Sequence, residues 1–225
     1  MILILFDIDG TILNTYGAGT RAADRAFEKM HGIKGAMHKI DMAGKTDPLI
    51  LREIYKNELK RTYTTEEAEE IYGHYIGYLR DEVGSSVVDV LPGIPALLER
   101  LSAREDVVLG VATGNIEDGA WIKLGKPGLR RFFRFGGFGS DSEHREDIIW
   151  TAIPTAAAFS GNGGSFRKIF VIGDTPYDIN HGRAAGAITV AVATGRYESY
   201  ELAEHKPDYL FEDLSDLETI LTLFV

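Results

Sequence analysis

The fold of this chain is indicated most clearly by Met1–Gly10, MILILFDIDG, and the threonine that follows. Its apolar run, Ile2–Phe6, is continuous rather than alternating, which is typical of a parallel strand covered on both faces. Asp7 and Asp9 come directly after this run, and ligands bind at the carboxyl ends of strands in open α/β sheets. Side chains two positions apart on a strand point to the same side. We therefore expect both carboxylates to face one crevice at the edge of a parallel sheet.

Comparable apolar runs recur along the chain and end in glycine, aspartate or threonine: Val107–Ala112, Ile169–Ile172 and Thr189–Val192. Weaker strand patterns occur at Phe132–Phe138 and Tyr209–Phe211. Helical periodicity separates the runs, which indicates repeated βα units with right-handed crossovers. The sequence therefore predicts an α/β fold with a doubly wound, Rossmann-like parallel sheet.

Residues 15–85 have a different texture, rich in Glu, Lys, Arg, Ala and Tyr and without a convincing strand. Apolar residues such as Ala22 and Ala26 recur at helical spacing, which predicts an inserted helical cap. The catalytic core would then consist of residues 1–14 and 86–225. We expect hinges at Tyr16–Gly19 and Val83–Ser86, where small residues absorb backbone rotation.

Two other patterns have simple interpretations. Tyr72, Tyr75 and Tyr78 lie at helical spacing, and packing between helices is favoured there over the alternative, a substrate pocket. The glycine-rich stretch Phe159–Phe166 predicts a plain loop, because the P-loop pattern G-x-x-x-x-G-K-[ST] is absent from the sequence.

The composition narrows the possible partners and locations. The 225-residue chain has no cysteine and a formal net charge of −10. The missing cysteines exclude disulfides and zinc–thiolate sites, and the negative charge disfavours nucleic acid and anionic membranes. Without a signal peptide or a membrane-spanning run, we expect a soluble cytoplasmic protein, monomeric or homodimeric, whose partner is a small molecule.

Two more predicted strands end in polar residues that suit phosphate chemistry. Thr113-Gly114-Asn115 offers a hydroxyl and a backbone that an anion can approach closely, which predicts a phosphate seat. Asp174 and Asp178 follow another strand, four positions apart. Carboxylates gathered at neighbouring strand ends repel one another, and a divalent cation with oxygen ligands relieves that repulsion. We therefore expect a Mg²⁺ site here.

The motifs DIDGT, Thr-Gly-Asn and GDTPYD together resemble those of the haloacid dehalogenase superfamily of phosphohydrolases, and the resemblance extends over essentially the whole chain. It implies a nucleophilic aspartate, a second aspartate that acts as general acid and base, a phosphate clamp and metal-binding carboxylates. In this sequence, the resemblance assigns the nucleophile to Asp7 and the general acid and base to Asp9. It assigns the phosphate clamp to Thr113, Gly114 and Asn115, and the metal-binding carboxylates to Asp174 and Asp178. Asp7 and the backbone carbonyl of Asp9 would also bind the metal.

The superfamily also uses a basic residue between the second and fourth motifs, and two candidates remain. Lys126 precedes a proline, as in relatives, but follows Thr113 by only 126 − 113 = 13 residues, too few for a helix and another strand. Arg145 follows Thr113 by 145 − 113 = 32 residues and comes after a predicted strand. Arginine grips phosphate bidentately, and we favour Arg145 for this position.

Resemblance to capped members of the superfamily suggests that a cap loop reaches the active site. Lys45 and Thr46 lie in Gly44-Lys45-Thr46-Asp47-Pro48, just before a predicted helix start. Lys45 would then bind a second polar or anionic group of the substrate. The alternative is an ordinary helix start with a solvated lysine.

The function that these residues predict is Mg²⁺-dependent hydrolysis of a small phosphorylated metabolite through an aspartyl-phosphate on Asp7. The layout resembles phosphoglycolate phosphatase and its relatives. A sugar-phosphate mutase similar to β-phosphoglucomutase would use the same residues and remains an alternative. A 2-haloacid dehalogenase needs neither Mg²⁺ nor a leaving-group acid, so the acids beyond Asp7 argue against it; a non-catalytic binding protein is a further alternative.

Overall fold

The computed structural model describes residues 1–161, 163 and 165–225 of the chain. Its strands are β1 (Ile2–Phe6), β2 (Leu13–Asn14), β3 (Asp89–Val90), β4 (Val107–Thr113), β5 (Gly136–Phe138), β6 (Lys168–Gly173), β7 (Ile188–Val192) and β8 (Tyr209–Phe211). Its α-helices are α1 (Ala18–His31), α2 (Asp47–Ile54), α3 (Thr65–Ser85), α4 (Ile94–Ser102), α5 (Glu117–Gly125), α6 (Arg145–Ser160), α7 (Pro176–Ala184), α8 (Ser199–Glu204) and α9 (Leu217–Leu221). Short 3-10 and π turns link several of these elements.

The main sheet has six parallel strands in the order β5-β4-β1-β6-β7-β8 within the described part of the chain. The predicted α/β fold with a parallel sheet is confirmed. Strand β1 lies between β4 and β6, with Phe6 paired with Val111 on one side and Ile172 on the other. The carboxyl ends of these three strands therefore meet at one edge of the sheet, where the predicted motifs follow.

Both faces of the sheet are covered, as the continuous apolar strands predict. Ile2, Ile4 and Phe6 of β1 belong to a buried cluster that includes side chains of α4, α5 and α9. Leu3 and Leu5 face the other way and pack in a second cluster with α6. Alternate residues of one strand thus serve two cores, which is why β1 has no polar position before Asp7.

Helices α1, α2 and α3 form what we call the helical insert, residues 18–85, between β2 and β3. The insert has its own apolar cluster, in which Phe27, Tyr55 and Leu79 are buried. Strands β2 and β3 pair antiparallel, so the chain enters and leaves the insert through a two-stranded ribbon. This ribbon joins the insert to the sheet at two adjacent points.

Two predicted local features, a strand and a hinge, differ from the structure. The strand predicted at Phe132–Phe138 forms only at Gly136–Phe138, because a 3-10 turn occupies Leu129–Phe132. The second predicted hinge, Val83–Ser86, is helical up to Ser85, because α3 continues through Gly84. At the first hinge, Tyr16 and Gly17 do adopt positive φ.

The glycine-rich loop predicted at Phe159–Phe166 begins later than expected, since α6 runs to Ser160; Asn162 and Gly164 lie outside the described residues. Among the described residues, no helix combines the length and the apolar character needed to cross a bilayer.

Candidate active site

Three buried carboxylates converge at the carboxyl edge of the sheet. Asp7 follows β1, Asp174 follows β6, and Asp178 lies in the first turn of α7. Each offers an oxygen atom, and these three oxygens lie within 4.8 Å of one another. All three residues are at least nine-tenths buried. The structure thus brings together three of the four residues that the sequence assigns to a metal site.

Local hydrogen bonds hold this cluster in place. Gly10 turns the chain with a φ of 85°, and a Cβ at this position would collide with the carboxylate of Asp174. The hydroxyl of Thr11 donates to Asp174 at 3.0 Å. The Thr175 hydroxyl and backbone N–H both donate to Asp178, at 2.7 and 3.1 Å, in a capping box that begins α7. The motif glycine and threonines therefore orient the carboxylates.

Arg145 lies in this cluster, and Lys126 does not. Arg145 is the first residue of α6, and its guanidinium is 3.0 Å from Asp7 and 2.6 Å from Asp178. Lys126 is exposed at the end of α5 and donates to the backbone carbonyl of Gly84 in the helical insert. Of the two basic candidates, only Arg145 can contact a group bound at Asp7.

The electrostatics of the cluster show an excess of negative charge. Burial raises the pKa of Asp7 to about 6, since the nearby Arg145 charge does not offset desolvation and the neighbouring carboxylates. Burial and the charges of Asp7 and Asp178 also raise the pKa of Asp174. One guanidinium faces three carboxylates, and a hard cation with oxygen ligands fits such a donor set.

The carboxylate of Asp9 lies apart from the three buried acids, in a network with residues of β4 and α5. Asp9 Oδ2 accepts from Asn115 Nδ2 at 2.8 Å and from Lys123 Nζ at 2.6 Å. Lys123 also donates to Asn115 Oδ1 at 2.7 Å, and Asn115 donates to the Thr113 hydroxyl at 2.7 Å. The Asp9 side chain remains 42% exposed, whereas the Lys123 side chain is 6% exposed. The network therefore leaves one face of Asp9 open.

Lys123 is a site residue that the sequence reasoning missed. It shares a face of α5 with the buried Ala120 and Leu124, so it is a lysine within an apolar helical stripe. This pattern could have identified Lys123 from the sequence, because a buried lysine nearly always has a partner. The sequence motif predicts that Asn115 contacts phosphate. The structure adds a second role, because its side chain hydrogen-bonds to Asp9 and orients that carboxylate.

The loop before α2 docks directly on the Thr113-Gly114-Asn115 motif. The Asp47 backbone N–H donates to the Gly114 carbonyl at 2.8 Å, and the Ile116 N–H donates to the Asp47 carboxylate at 2.9 Å. A Cβ at Gly114 would collide with the carbonyl oxygen of Lys45. This close approach requires glycine in the motif and brings the helical insert against the site.

The two predicted insert residues take different positions. Thr46 is fully buried, caps α2 by accepting from the Leu49 N–H, and donates to the Glu143 carbonyl at 3.0 Å. Lys45 lines the same cavity as Asp7 but forms an ion pair with Glu53 at 2.6 Å. Lys45 is therefore near the site, whereas the hydroxyl of Thr46 is used in hydrogen bonds with Leu49 and Glu143.

A cavity of about 620 Å³ lies between the sheet edge and the helical insert. It is lined by Asp7, Asp9, Asp174, Arg145 and Lys123 on the core side, and Tyr72 and Tyr75 also line it. Tyr72 and Tyr75 therefore pack within the insert and also face a pocket, so both interpretations of the tyrosine spacing hold for them, whereas Tyr78 packs against the apolar cluster of the insert.

A parallel sheet whose strand ends carry Asp7, two more buried acids and a buried arginine fits a hydrolase of the phosphatase class. A family model described as haloacid dehalogenase-like hydrolase matches residues 4–192, and the chain belongs to this family. The resemblance predicted from the motifs is confirmed.

Curated proteins that are similar to this chain over nearly its full length include several named pyrophosphatase PpaX. Pyrophosphatase PpaX of Bacillus pumilus is 24% identical over 231 residues, which cover 97% of this chain and 95% of the relative. Pyrophosphatase PpaX of Listeria monocytogenes is 26% identical over 222 residues, with the same coverage of 97% and 95%.

Solved structures share the fold. A hydrolase from Pseudomonas syringae has a TM-score of 0.72 at 23% identity, with both chains covered completely, 100% each. CbbY from Rhodobacter sphaeroides, solved in complex with phosphate, has a TM-score of 0.68 at 17% identity, covering 96% of this chain and 95% of the other.

Proposed function

We propose that this enzyme is a Mg²⁺-dependent phosphatase that hydrolyses a small phosphate monoester through an aspartyl-phosphate on Asp7. The observation that carries the proposal is the cluster of Asp7, Asp174 and Asp178, whose oxygens lie within 4.8 Å of one another, beside Arg145. Such a cluster combines a carboxylate nucleophile with the ligands of a hard cation. The helical insert would act as a cap over this site.

The donor set fits Mg²⁺, and Asp7, Asp174, Asp178 and the Asp9 carbonyl are the groups that would hold it. When bound, the ion would offset charge on the phosphoryl oxygens and keep the carboxylates ionised. The family membership and the acidic cluster both support this assignment. The remaining chemistry is assigned to the side chains of the chain itself.

In the first step, a carboxylate oxygen of Asp7 attacks phosphorus, and the bond from phosphorus to the leaving oxygen breaks. Asp9 transfers its proton to the departing alkoxide. In the second step, Asp9 removes a proton from water, whose oxygen attacks phosphorus. Inorganic phosphate then leaves and Asp7 is regenerated. The guanidinium of Arg145 stabilises the charge on the equatorial oxygens throughout.

The Asp9 network supports its assigned role. Asn115 and Lys123 both donate to one oxygen of Asp9, so the other oxygen is available to the leaving group. Lys123 thus acts as a positioning residue for Asp9. Lys45 lines the cavity, and its ammonium group, paired with Glu53, would donate to a hydroxyl of the substrate.

The proposal is tested by measuring phosphate release from a panel of esters with MgCl₂ and with EDTA. EDTA, Asp7→Asn and Asp9→Asn are each expected to lower turnover by at least about 10²-fold, whereas the exposed Asp118→Asn on α5 serves as the matched control. Equal turnover with EDTA would favour the metal-independent dehalogenase chemistry. Phosphate transfer between two positions of a sugar, without net release, would favour the mutase alternative.

A second candidate function, pyrophosphate hydrolysis, is supported by the names of the PpaX relatives. It uses the same nucleophile and metal ligands, and the leaving group is phosphate instead of an alkoxide. Including pyrophosphate in the panel decides between the two.

A further inference from the structure

The part of the cavity that lies within the helical insert is predominantly apolar. Its lining there includes Ala23, Phe27, Ile40, Ile50, Ile54 and Ile71. Apolar walls of this kind bind apolar surface and penalise charged groups, which lose their hydration without gaining a partner. Whatever extends from the phosphate into the insert therefore meets an apolar environment.

The cationic side chains that line the cavity are each already paired with a carboxylate. The pairs are Lys45 with Glu53 at 2.6 Å, Lys123 with Asp9 at 2.6 Å, Arg145 with Asp7 at 3.0 Å and Arg196 with Asp41 at 2.7 Å. Asp47 and Asp174 add further acidic lining. Within the described residues, no lining cation is left over to neutralise a second phosphate or a carboxylate on the substrate.

Tyr72 supplies a polar group at this apolar end. It lines the cavity, and its hydroxyl is buried without a hydrogen bond to any described residue. A buried hydroxyl without a partner is costly, and a ligand oxygen that accepts its hydrogen bond removes that cost. Burial also raises the pKa of Tyr72, so the hydroxyl remains a neutral donor.

We propose that the substrate is a phosphate monoester of an uncharged alcohol with an apolar body, about the size of an aromatic ring or a branched aliphatic chain, that carries one oxygen accepting from Tyr72. This inference rests on the proposed phosphatase function and specifies its substrate class. It distinguishes the enzyme from one adapted to pyrophosphate or to a carboxylate-bearing ester, because both would place an anion among apolar and acidic walls.

The test compares four compounds in MgCl₂: ethyl phosphate, 2-phenylethyl phosphate, 2-phosphoglycolate and pyrophosphate. Ethyl and 2-phenylethyl phosphate are esters of uncharged alcohols whose basicity is similar, so the difference between them reports binding of the apolar body. We expect kcat/KM for 2-phenylethyl phosphate to exceed that for ethyl phosphate by at least about tenfold. The two compounds with a second anionic group, 2-phosphoglycolate and pyrophosphate, should both fall below 2-phenylethyl phosphate.

Two variants connect this preference to the cavity. Ala23→Leu places added bulk in the cavity and should lower the ratio of kcat/KM for the phenylethyl ester to kcat/KM for the ethyl ester by about tenfold. Ala203→Leu, at an exposed site on α8, should keep this ratio.

The second variant tests Tyr72 with phenylethyl phosphates that carry a methoxy group at each ring position in turn. For the best of these isomers, kcat/KM should fall at least about fivefold in Tyr72→Phe, whereas Tyr78→Phe on the same helix should not lower it.

The outcomes separate the inference from the function on which it rests. A preference for 2-phosphoglycolate over 2-phenylethyl phosphate, or an unchanged ratio in a folded Ala23→Leu enzyme, would overturn the substrate class and leave the phosphatase function standing. The lack of Mg²⁺-dependent phosphate release from every compound would instead refute the proposed function.

Discussion

Replacement of Lys123 by methionine tests whether the Asp9 network matters for catalysis. The change keeps the length and apolar stem of the side chain but removes donors at 2.6 Å from Asp9 and 2.7 Å from Asn115. Asp9 remains accessible to water, whereas Asn115 Oδ1 is buried and loses a hydrogen bond. We expect a stability loss of about 1–3 kcal/mol, partly offset because a buried charge is removed.

The catalytic effect follows from the position of Asp9. A general acid that is no longer held in place loses part of its contribution, and we expect kcat to fall about 10- to 100-fold, or ~1.4–2.7 kcal/mol, with little change in KM. The loss in kcat/KM, which reports phosphorylation of Asp7 and not the later attack of water, should be large for ethyl phosphate and less than about threefold for 4-nitrophenyl phosphate, whose leaving group departs without protonation. Lys123→Arg should restore part of the activity.

Lys126→Met, at the C-terminal end of the same helix, is the matched control, because Lys126 is exposed and donates to the Gly84 carbonyl, away from Asp9. Steady-state kinetics on both esters, with folding verified by circular dichroism, provide the measurement. An equal loss of kcat/KM on the two esters, or full activity in a folded Lys123→Met enzyme, would refute the positioning role.

Three further predictions concern the charges and the insert. Arg145→Ala should lower kcat/KM by at least about 10²-fold while Lys126→Ala does not; the reverse pattern would reassign the basic residue of the site. The pKa of Asp7 is raised from 3.8 to about 6, so the metal-free folded state binds more protons than the unfolded chain between these values, and its stability should fall by ~3 kcal/mol as pH rises from about 4 to 6. The Mg²⁺-induced rise in Tm should therefore increase from pH 5 to 7, and a rise independent of pH in calorimetry would contradict this reasoning. Gly114→Ala should raise KM about three- to tenfold, because a Cβ there collides with the carbonyl oxygen of Lys45 and displaces the insert loop; limited proteolysis should show faster cleavage near that loop, and unchanged KM and cleavage would exclude the docking contact.

The strands of the main sheet and the acids at their ends can be predicted from local patterns in the sequence. Ile2–Phe6 is apolar at every position because both faces of β1 are covered, and this local pattern is readable without coordinates. Asp7 and Asp174 directly follow their strands and Asp9 lies two positions beyond Asp7, so the end of a strand also specifies the edge of the sheet on which they lie. For these residues, local periodicity and a general rule of α/β sheets were sufficient.

Contacts between side chains that are distant in sequence depend instead on the packing of the whole chain. Lys123 and Asp9 are 114 positions apart, and an apolar stripe on a helix does not say which partner a lysine will find. Arg145 and Lys126 each lie at a helix end, and the packing of α6 against the sheet brings only Arg145 to Asp7. The cavity likewise depends on how the helical insert docks. Such contacts depend on how the packed elements are oriented. That orientation results from many weak interactions across the whole chain, so no single segment carries a pattern that predicts it.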